Sequence, residues 1–158
     1  MVQVTPSLLD AFLDCCGGRR GDYAVQRDDG RYMHVWQPLT YETVFAHLRG
    51  DITIGVYLID EAGYCHSAVL DSDMPDGLVQ LSRVQTHLAV GGWASYLEAT
   101  RRGAHLRVFF AEPVAPAVVR RWLRSYCPAG VELYPKRATC LAETAENGGW
   151  LVPNERTI

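Results

Sequence analysis

The chain has 158 residues, a hydrophobic fraction of 48%, a charged fraction of 21% and a formal net charge of −3. These values indicate one globular domain, because a chain of this length can bury a core without disulfide or metal support. The five cysteines form no CxxC pair, which argues against a structural zinc site. No run of about 18 apolar residues and no signal-peptide pattern occurs, so we expect a cytoplasmic protein with no membrane partner.

Charge is distributed unevenly along the chain. Residues 1–99 carry 6 basic and 13 acidic side chains, a balance of −7, whereas residues 100–137 carry 8 basic and 2 acidic side chains, a balance of +6. The tail from residue 138 onward balances at −2. A basic block within an acidic chain is a candidate surface for phosphate groups.

The first 50 residues predict a small αβ module. A short amphipathic helix begins after Thr5 and ends where the sequence reaches Gly17-Gly18. Segments 22–26 and 31–37 alternate apolar and polar residues around an Asp-Gly dipeptide, which is typical of a hairpin. A second helix is predicted over residues 41–50, beginning after Leu39-Thr40. Its end is placed at Gly50, because glycine commonly ends a helix.

From residue 52 onward the pattern predicts the order β-β-α-β-β-α-β. The segments are 52–60, 64–73, 78–90, 94–99, 105–110, 117–127 and 131–135, with a further short strand at 149–152. This order fits an antiparallel sheet with helices packed on it, so we predict an α+β fold with an RRM-like sheet, preceded by the αβ module. We expect a single domain over residues 1–158, with the module at about 1–50, a core at about 51–137 and a tail at 138–158.

Two aspartates follow the apolar run SAVL. On a strand, residues i and i+2 face the same side, so Asp71 and Asp73 would project from one face of the sheet. Two close carboxylates repel each other unless a cation or a proton lies between them, and oxygen ligands of this kind suit Mg²⁺ or Mn²⁺. The segment DSDMPDG is also compatible with a plain acidic turn.

Glu132 lies between apolar neighbours in the segment VELYP. On a strand, Val131 and Leu133 would face one side of the sheet, and Glu132 and Tyr134 would face the other. A carboxylate in a central strand is costly unless it is paired or bound to metal, so Glu132 is a candidate third ligand. An edge-strand glutamate in contact with water is the alternative.

His105 begins the strand HLRVFF directly after an Arg-Arg-Gly-Ala turn, where it is placed to hydrogen-bond a phosphate. Four basic residues flank the same elements: Arg101, Arg102, Lys136 and Arg137. Arginine binds phosphate through a fork of donors and lysine as a point charge. An ordinary surface position is the alternative for each of these residues.

Three short patterns follow one another along the chain: Asp71-x-Asp73, Gly103-Ala104-His105 and Val131-Glu132. Longer stretches accompany them, chiefly HLRG-x-x-TIGVY, LE-x-x-RRGAH-x-x-x-FF and ELYPKR. Between about residues 39 and 137 the chain resembles the catalytic domain of the archaeo-eukaryotic primase superfamily, the primase-polymerases. It looks like the compact bacterial versions that are linked to mobile elements and conflict systems.

The resemblance implies template-directed addition of nucleotides to a 3′-hydroxyl by a two-metal mechanism with Mg²⁺ or Mn²⁺. The catalytic and metal-binding residues would be Asp71, Asp73 and Glu132. The nucleotide-binding residues would be His105, Arg101, Arg102, Lys136 and Arg137. The implied partners are nucleoside triphosphates and a single-stranded DNA template or primer held by the basic block, with a helicase or another replication or defence protein as a protein partner.

Two positions depart from the pattern of close relatives. Thr100 stands where relatives carry serine, a change that keeps the hydroxyl. Arg107 stands where relatives carry an aromatic residue, and we expect it to face out of the sheet or towards nucleic acid. Tyr134 and Trp122 are candidates for stacking on a base, with a place in the core as the alternative for both.

Two other function classes are compatible with the sequence. A degenerate primase-like domain would bind nucleotides or nucleic acid without catalysis. A metal-dependent nuclease is the weaker alternative, since acidic clusters near a lysine such as Lys136 also serve hydrolysis. The complete acidic triad favours the nucleotidyltransferase.

Overall fold

The structure, a computed structural model, describes residues 5–16, 18–138 and 150–151. No helix among these residues is long and apolar enough to cross a membrane. The elements in chain order are α1 (Pro6–Cys16), β1 (Tyr23–Gln26), β2 (Tyr32–Val35), α2 (Tyr41–Arg49), β3 (Ile54–Val56), β4 (Cys65–Ser72), α3 (Gly77–Val90), β5 (Ser95–Ala99), β6 (Ala104–Val114), α4 (Pro116–Leu123), β7 (Glu132–Tyr134) and β8 (Trp150–Leu151).

Cap and turn residues explain why the early elements lie where the sequence predicts them. Thr40 precedes α2, and its hydroxyl accepts a hydrogen bond from the Thr43 N–H, which satisfies one of the free donors at a helix start. Gly50 ends α2 with a left-handed φ of 85°, which glycine adopts without steric cost. Gly30 has a φ of 80° in the turn between β1 and β2. The predicted hairpin and both predicted helices of the N-terminal module are therefore present.

The first sheet has the strand order β2-β1-β3-β8 and antiparallel pairing throughout. Helices α1 and α2 pack on one of its faces, where Leu13 and Val44 meet Ile54 and Val56. The strand predicted over residues 52–60 forms β3, but β3 pairs with β1 and not with β4. The first sheet therefore extends beyond residue 50, and the RRM-like order begins one strand later than predicted.

The short strand predicted at 149–152 corresponds to β8, which pairs with β3 in this first sheet. Residues 149 and 152 themselves lie outside the described part of the chain.

The second sheet has the order β5-β6-β4-β7 and is also antiparallel throughout. With α3 and α4 its strands follow the order β-α-β-β-α-β, which is that of the split-βαβ folds. Leu81 and Leu88 of α3 and Leu123 of α4 pack against Leu70 and Leu106 of the sheet. The predicted α+β class, with helices packed on an RRM-like antiparallel sheet, is confirmed.

We call the other face of the second sheet the open face. It carries the strand side chains that point away from the core under α3 and α4. Val69, the neighbour of Leu70, packs there with Leu58 and Tyr134. The segment that follows β3 therefore covers part of the open face. Asp71 lies two residues further along β4, with its side chain 21% exposed.

A close backbone approach holds the start of β6 against the end of β4. A Cβ atom built on Gly103 would lie 1.9 Å from the carbonyl oxygen of Ser72, and one on Gly77 would lie 2.7 Å from the Ser72 hydroxyl. Ser72 is fully buried between these two glycines. Because only glycine fits at such a distance, this approach places Asp71, next to Ser72, opposite His105, two residues beyond Gly103.

We expect Gly103→Ala to lower the free energy of unfolding by about 1–3 kcal/mol, the usual cost of overpacking, because a backbone oxygen cannot rotate away. Urea denaturation measures the change. Gly21→Ala is the matched control, since its added Cβ would meet only the Glu61 carboxylate, at 3.5 Å. If both variants unfolded at the same urea concentration, β6 would not depend on this approach.

Candidate active site

Four ionisable side chains form a row across all four strands of the open face. Asp71 of β4 lies directly opposite Glu132 of β7 on one side and His105 of β6 on the other. His105 lies in turn opposite Glu98 of β5. Side chains at directly opposed positions have Cβ atoms about 4.5–5.5 Å apart, so the order Glu132, Asp71, His105, Glu98 places each charge next to the following one.

His105 lies between two carboxylates of this row. Its Nε2 atom is 3.3 Å from Asp71 Oδ1 and its Nδ1 atom is 3.7 Å from Glu98 Oε2, while the ring itself is 7% exposed. Burial alone would lower the pKa of His105, but the nearby carboxylates of Asp71 and Glu98 outweigh burial and raise the pKa to about 9. His105 is therefore an imidazolium at neutral pH, held in the row by anions on both sides.

Glu132 lies at the edge of the sheet. The sequence predicted that a strand would turn Glu132 and Tyr134 to the same face, and the hydrogen bond from the Tyr134 hydroxyl to Glu132 Oε2, at 2.6 Å, agrees. Of the two alternatives left open by the sequence, the structure shows the edge-strand position, because β7 is an edge strand and Glu132 is 56% exposed. Hydrogen bonds from Tyr134 and Lys136 lower the pKa of Glu132 and keep it ionised.

Asp73 lies one residue beyond the end of β4 and is not part of the cross-strand row. Its carboxylate forms a 2.9 Å ion pair with Arg102 in the turn between β5 and β6. The Thr100 hydroxyl accepts a 3.0 Å hydrogen bond from the Gly103 N–H and so supports this turn. Asp71 and Asp73 are therefore neighbours at one end of β4, but only Asp71 is fixed by strand pairing.

Each of the three carboxylates predicted as metal ligands pairs with a cationic side chain of the protein. Within the described part of the chain, no three His, Cys, Asp or Glu side chains converge as a metal site. The donor set nevertheless suits a hard divalent cation, because all its members are carboxylates and two of them are direct cross-strand neighbours. Metal binding at these residues stays a prediction. The pairs are Asp71–His105, Asp73–Arg102 and Glu132–Lys136.

The basic block of residues 100–137 does not form one surface. Arg101 and Arg102 are exposed in the turn beside the site, and Lys136 and Arg137 follow β7 at its other side. In contrast, three arginines belong to α4 or its C-cap, on the helical side of the sheet. The expectation of a single phosphate-binding block is therefore corrected to two small groups of cations that flank the carboxylates.

Arg107 is not directed to solvent, contrary to the expectation. It is 5% exposed, and its guanidinium donates a 2.9 Å hydrogen bond to the Ser67 hydroxyl. Arg107 shares the open face with Asp71, because it lies opposite Val69 in the register of β4 and β6. Its site is nevertheless covered, so Arg107 supports the sheet and is not a nucleic-acid contact.

The two aromatic residues suggested for base stacking lie on opposite sides of the second sheet. Trp122 of α4 packs against Trp93, Phe110 and Tyr126 on the helical side of the sheet, so it belongs to the core and not to the site. Tyr134 lies on the open face, is 8% exposed and donates its hydroxyl hydrogen bond to Glu132. Tyr134 therefore orients a carboxylate, and its ring is largely covered.

Glu98 is the site residue that the sequence reasoning missed. The same alternation of faces that was used for the segment VELYP would have identified Glu98. In the strand SYLEA the apolar Leu97 lies between Tyr96 and Glu98, so these two side chains face away from the core. Leu97 packs against the core, which leaves Glu98 on the open face. The missing information was the pairing of β5 with β6, which alone brings Glu98 to His105.

Comparisons with known proteins identify the family of the chain. Residues 21–136, most of the chain, match the family described as the TOTE conflict system, Archaeo-Eukaryotic Primase domain. Among solved structures, the polymerase domain of ligase D from Mycobacterium tuberculosis, in complex with DNA, is similar with 13% sequence identity and a TM-score of 0.46. That similarity covers 74% of this chain and 58% of the other, so this chain spans less than two thirds of that domain. No curated protein matches the sequence.

We expect Glu98→Gln to lower the pKa of His105 from about 9 towards 6.5, because one of its two anionic neighbours becomes neutral. The folded-state pKa lies above the unfolded value, so the ion pairs of His105 stabilise the fold fully below pH 6.5, and this contribution is lost as the pH rises through about 9. NMR titration of the imidazole in metal-free protein measures the shift.

Glu112→Gln is the control for this titration, since Glu112 is an exposed acid on the same strand, seven residues further along β6. An unchanged His105 pKa in Glu98→Gln, equal to that in Glu112→Gln, would mean that Glu98 does not act on the ring.

Proposed function

The chain belongs to the archaeo-eukaryotic primase domain family of TOTE conflict systems, and we propose that it is a template-directed nucleotidyltransferase, a primase-polymerase that extends a 3′-hydroxyl. The observation that carries the proposal is the row on the open face, where Asp71 and Glu132 are direct neighbours beside His105. Carboxylates gathered at one end of a sheet, with cations beside them, are the groups that binding of a divalent ion and a triphosphate requires.

Asp71, Asp73 and Glu132 are the proposed ligands for Mg²⁺ or Mn²⁺. Bound divalent ions supply activation of the attacking hydroxyl and neutralise charge on the triphosphate and the leaving pyrophosphate. Two features of the chain support this role. The pKa of Glu132 is lowered, so that it is an anionic ligand at neutral pH. Asp71 is held by strand pairing, which fixes its direction before any ligand arrives.

The cations beside the carboxylates are the proposed triphosphate contacts. In the structure Arg102 and Lys136 pair with Asp73 and Glu132. When these two carboxylates act as ligands, both cations are left to donate to phosphate oxygens. His105, an imidazolium between two acids, is placed to donate to the triphosphate at the centre of the row, with Arg101 and Arg137 as further contacts at its sides.

The proposed reaction joins the primer 3′-oxygen to the α-phosphorus of a nucleoside triphosphate. The bond to the β,γ-diphosphate breaks, pyrophosphate leaves and the hydroxyl proton passes to solvent. The chain contributes position and charge, which is the main protein contribution in phosphoryl transfer. A single-stranded DNA template or primer is the proposed partner, bound in a salt-sensitive manner by the arginines that flank the site.

We expect Asp71→Ala to reduce template-dependent extension of a labelled primer by at least about 100-fold, because it removes a ligand from the centre of the row. Extension with Mn²⁺ and each nucleotide type, read on a denaturing gel, measures the rate. Asp76→Ala is the matched control, since this aspartate lies in the same acidic loop but at the N-cap position of α3, where its carboxylate accepts a hydrogen bond from the Gln80 side chain.

Three outcomes distinguish the function classes. Extension by wild type and Asp76→Ala, but not by Asp71→Ala, supports the primase-polymerase. Nucleotide binding without pyrophosphate release in wild type would indicate a degenerate binding domain. Cleavage of the template in the absence of nucleotides would indicate a nuclease. Circular dichroism of Asp71→Ala must show a folded protein for the comparison to hold.

A further inference from the structure

A set of aromatic side chains lies on the first sheet, along strand β2. Successive side chains of a strand point to opposite faces, and the pairing of β1 with β2 shows which residues share a face. Val35 lies opposite Tyr23 on the face that α1 and α2 cover. Tyr32 and His34 lie on the other face, and Trp36 continues their alternation just past the strand. We call Tyr32, His34 and Trp36 the aromatic stripe.

The indole ring of Trp36 is held against His34 although the residue is exposed. Trp36 is 69% exposed. Its ring is stacked on the imidazole of His34, with the centroids 3.8 Å apart and the planes 21° apart. One face of the indole is therefore packed and the other is turned to solvent. An exposed aromatic ring held in this way is preorganised to stack on another flat group, because no rotamer freedom has to be lost on binding.

A buried polar network fixes the ring beneath Trp36. His34 Nε2 lies 2.9 Å from Asp22 Oδ2, and His34 Nδ1 lies 3.1 Å from the Tyr57 hydroxyl. Asp22 is 5% exposed and also pairs with Arg19 at 3.3 Å. Both ring nitrogens of His34 are thus engaged from the interior, which leaves only the ring face to support Trp36.

The segment after β3 connects the aromatic stripe to the candidate active site. The hydroxyl of Tyr57 lies 3.1 Å from His34 Nδ1. The next residue, Leu58, packs with Tyr134 on the open face, and the Tyr134 hydroxyl donates a hydrogen bond to Glu132. Two consecutive residues therefore contact both the stripe and the surroundings of the carboxylates.

We propose that the aromatic stripe binds the unpaired bases of a single-stranded nucleic acid and guides the strand to the carboxylates. This proposal rests on the proposed function, because it names where the template of that reaction lies. Aromatic side chains combined with arginines are the usual means of binding single strands without sequence preference. Arg31, next to Tyr32, is exposed, and Arg101 and Arg102 are exposed beside the carboxylates.

The outer face of Trp36 favours a single strand over a duplex. The indole is already stacked on His34 with the centroids 3.8 Å apart, so a base can stack only on its outer face. Bases within a duplex are stacked on one another, so the base that meets Trp36 must come from an unpaired strand. Asp22, the carboxylate in contact with His34, is buried and also paired with Arg19, so its charge is compensated within the protein.

The test is fluorescence anisotropy with a labelled oligothymidine and a duplex of the same length, in chelator, so that binding is measured apart from catalysis. We expect Trp36→Ala to weaken binding of the single strand about tenfold, equivalent to about 1.4 kcal/mol, and to leave duplex binding unchanged. Trp36→Phe should recover most of the affinity, because a flat ring is restored at the same place.

Met33→Ala is the matched control. Met33 lies on the same edge strand and is 50% exposed, but it points to the opposite face. Equal single-strand affinity of Trp36→Ala and Met33→Ala, with both variants folded, would overturn the proposal and leave the stripe as a surface for a protein partner. Equal losses for single strand and duplex would also overturn it, since stacking requires unpaired bases.

Failure of the two proposals is distinguishable. If wild type extends primers while Trp36→Ala binds single strands as Met33→Ala does, only the aromatic stripe is rejected. If wild type extends no primer but Trp36→Ala still loses single-strand affinity selectively, the stripe is supported on a binding domain and the nucleotidyltransferase is rejected.

Discussion

The register of β4 between β6 and β7 is the constraint on which the candidate site depends. A slip of one residue would turn Asp71 towards the helices and Leu70 towards the open face, because strand side chains alternate with a period of two. Leu70 is fully buried among the side chains of α3 and α4. Exposing it while burying a carboxylate is unfavourable on both counts. Apolar packing on one face thus determines the position of the charged groups on the other.

Charge balance explains how so many acids can share one end of a sheet. Four carboxylates lie there, and three cations pair with them: His105, Arg102 and Lys136. The protein therefore compensates most of the repulsion by itself, and the fold does not require a bound ion. The same pairing leaves cations next to the positions where a triphosphate would place its oxygens. A site of this kind can exchange internal ion pairs for pairs with metal and phosphate at little net cost in charge.

Local patterns in the sequence predicted most of the elements, and pairing between distant strands accounts for what they missed. Thr40, Gly50 and Gly30 act through neighbouring residues, so the helices and the hairpin could be located without the fold. The partner of β3 could not, because a short apolar strand fits either sheet. For Glu132 the alternation predicted the correct face, but it left open whether the strand is central or at an edge, since alternation does not reveal edges. Arg107 was expected at the surface, because alternation also does not reveal which residues distant in sequence, such as Ser67, contact a side chain.

The two sheets share one arrangement, and this arrangement accounts for the position of the aromatic stripe. Each sheet buries one face under two helices and keeps polar and aromatic side chains on the other face. In each, an edge strand carries an exposed member of this set, Glu132 on β7 and Trp36 just beyond β2. Exposed edges invite unwanted pairing, and both strands are short, of 3 and 4 residues, which limits that pairing. Tyr57 and Leu58 link the two sets of groups, because Tyr57 contacts His34 and Leu58 packs with Tyr134, the hydrogen-bond partner of Glu132. The ring that supports Trp36 and the tyrosine that orients a carboxylate are thus held by two consecutive residues, so one packed segment helps to set the positions of both surfaces.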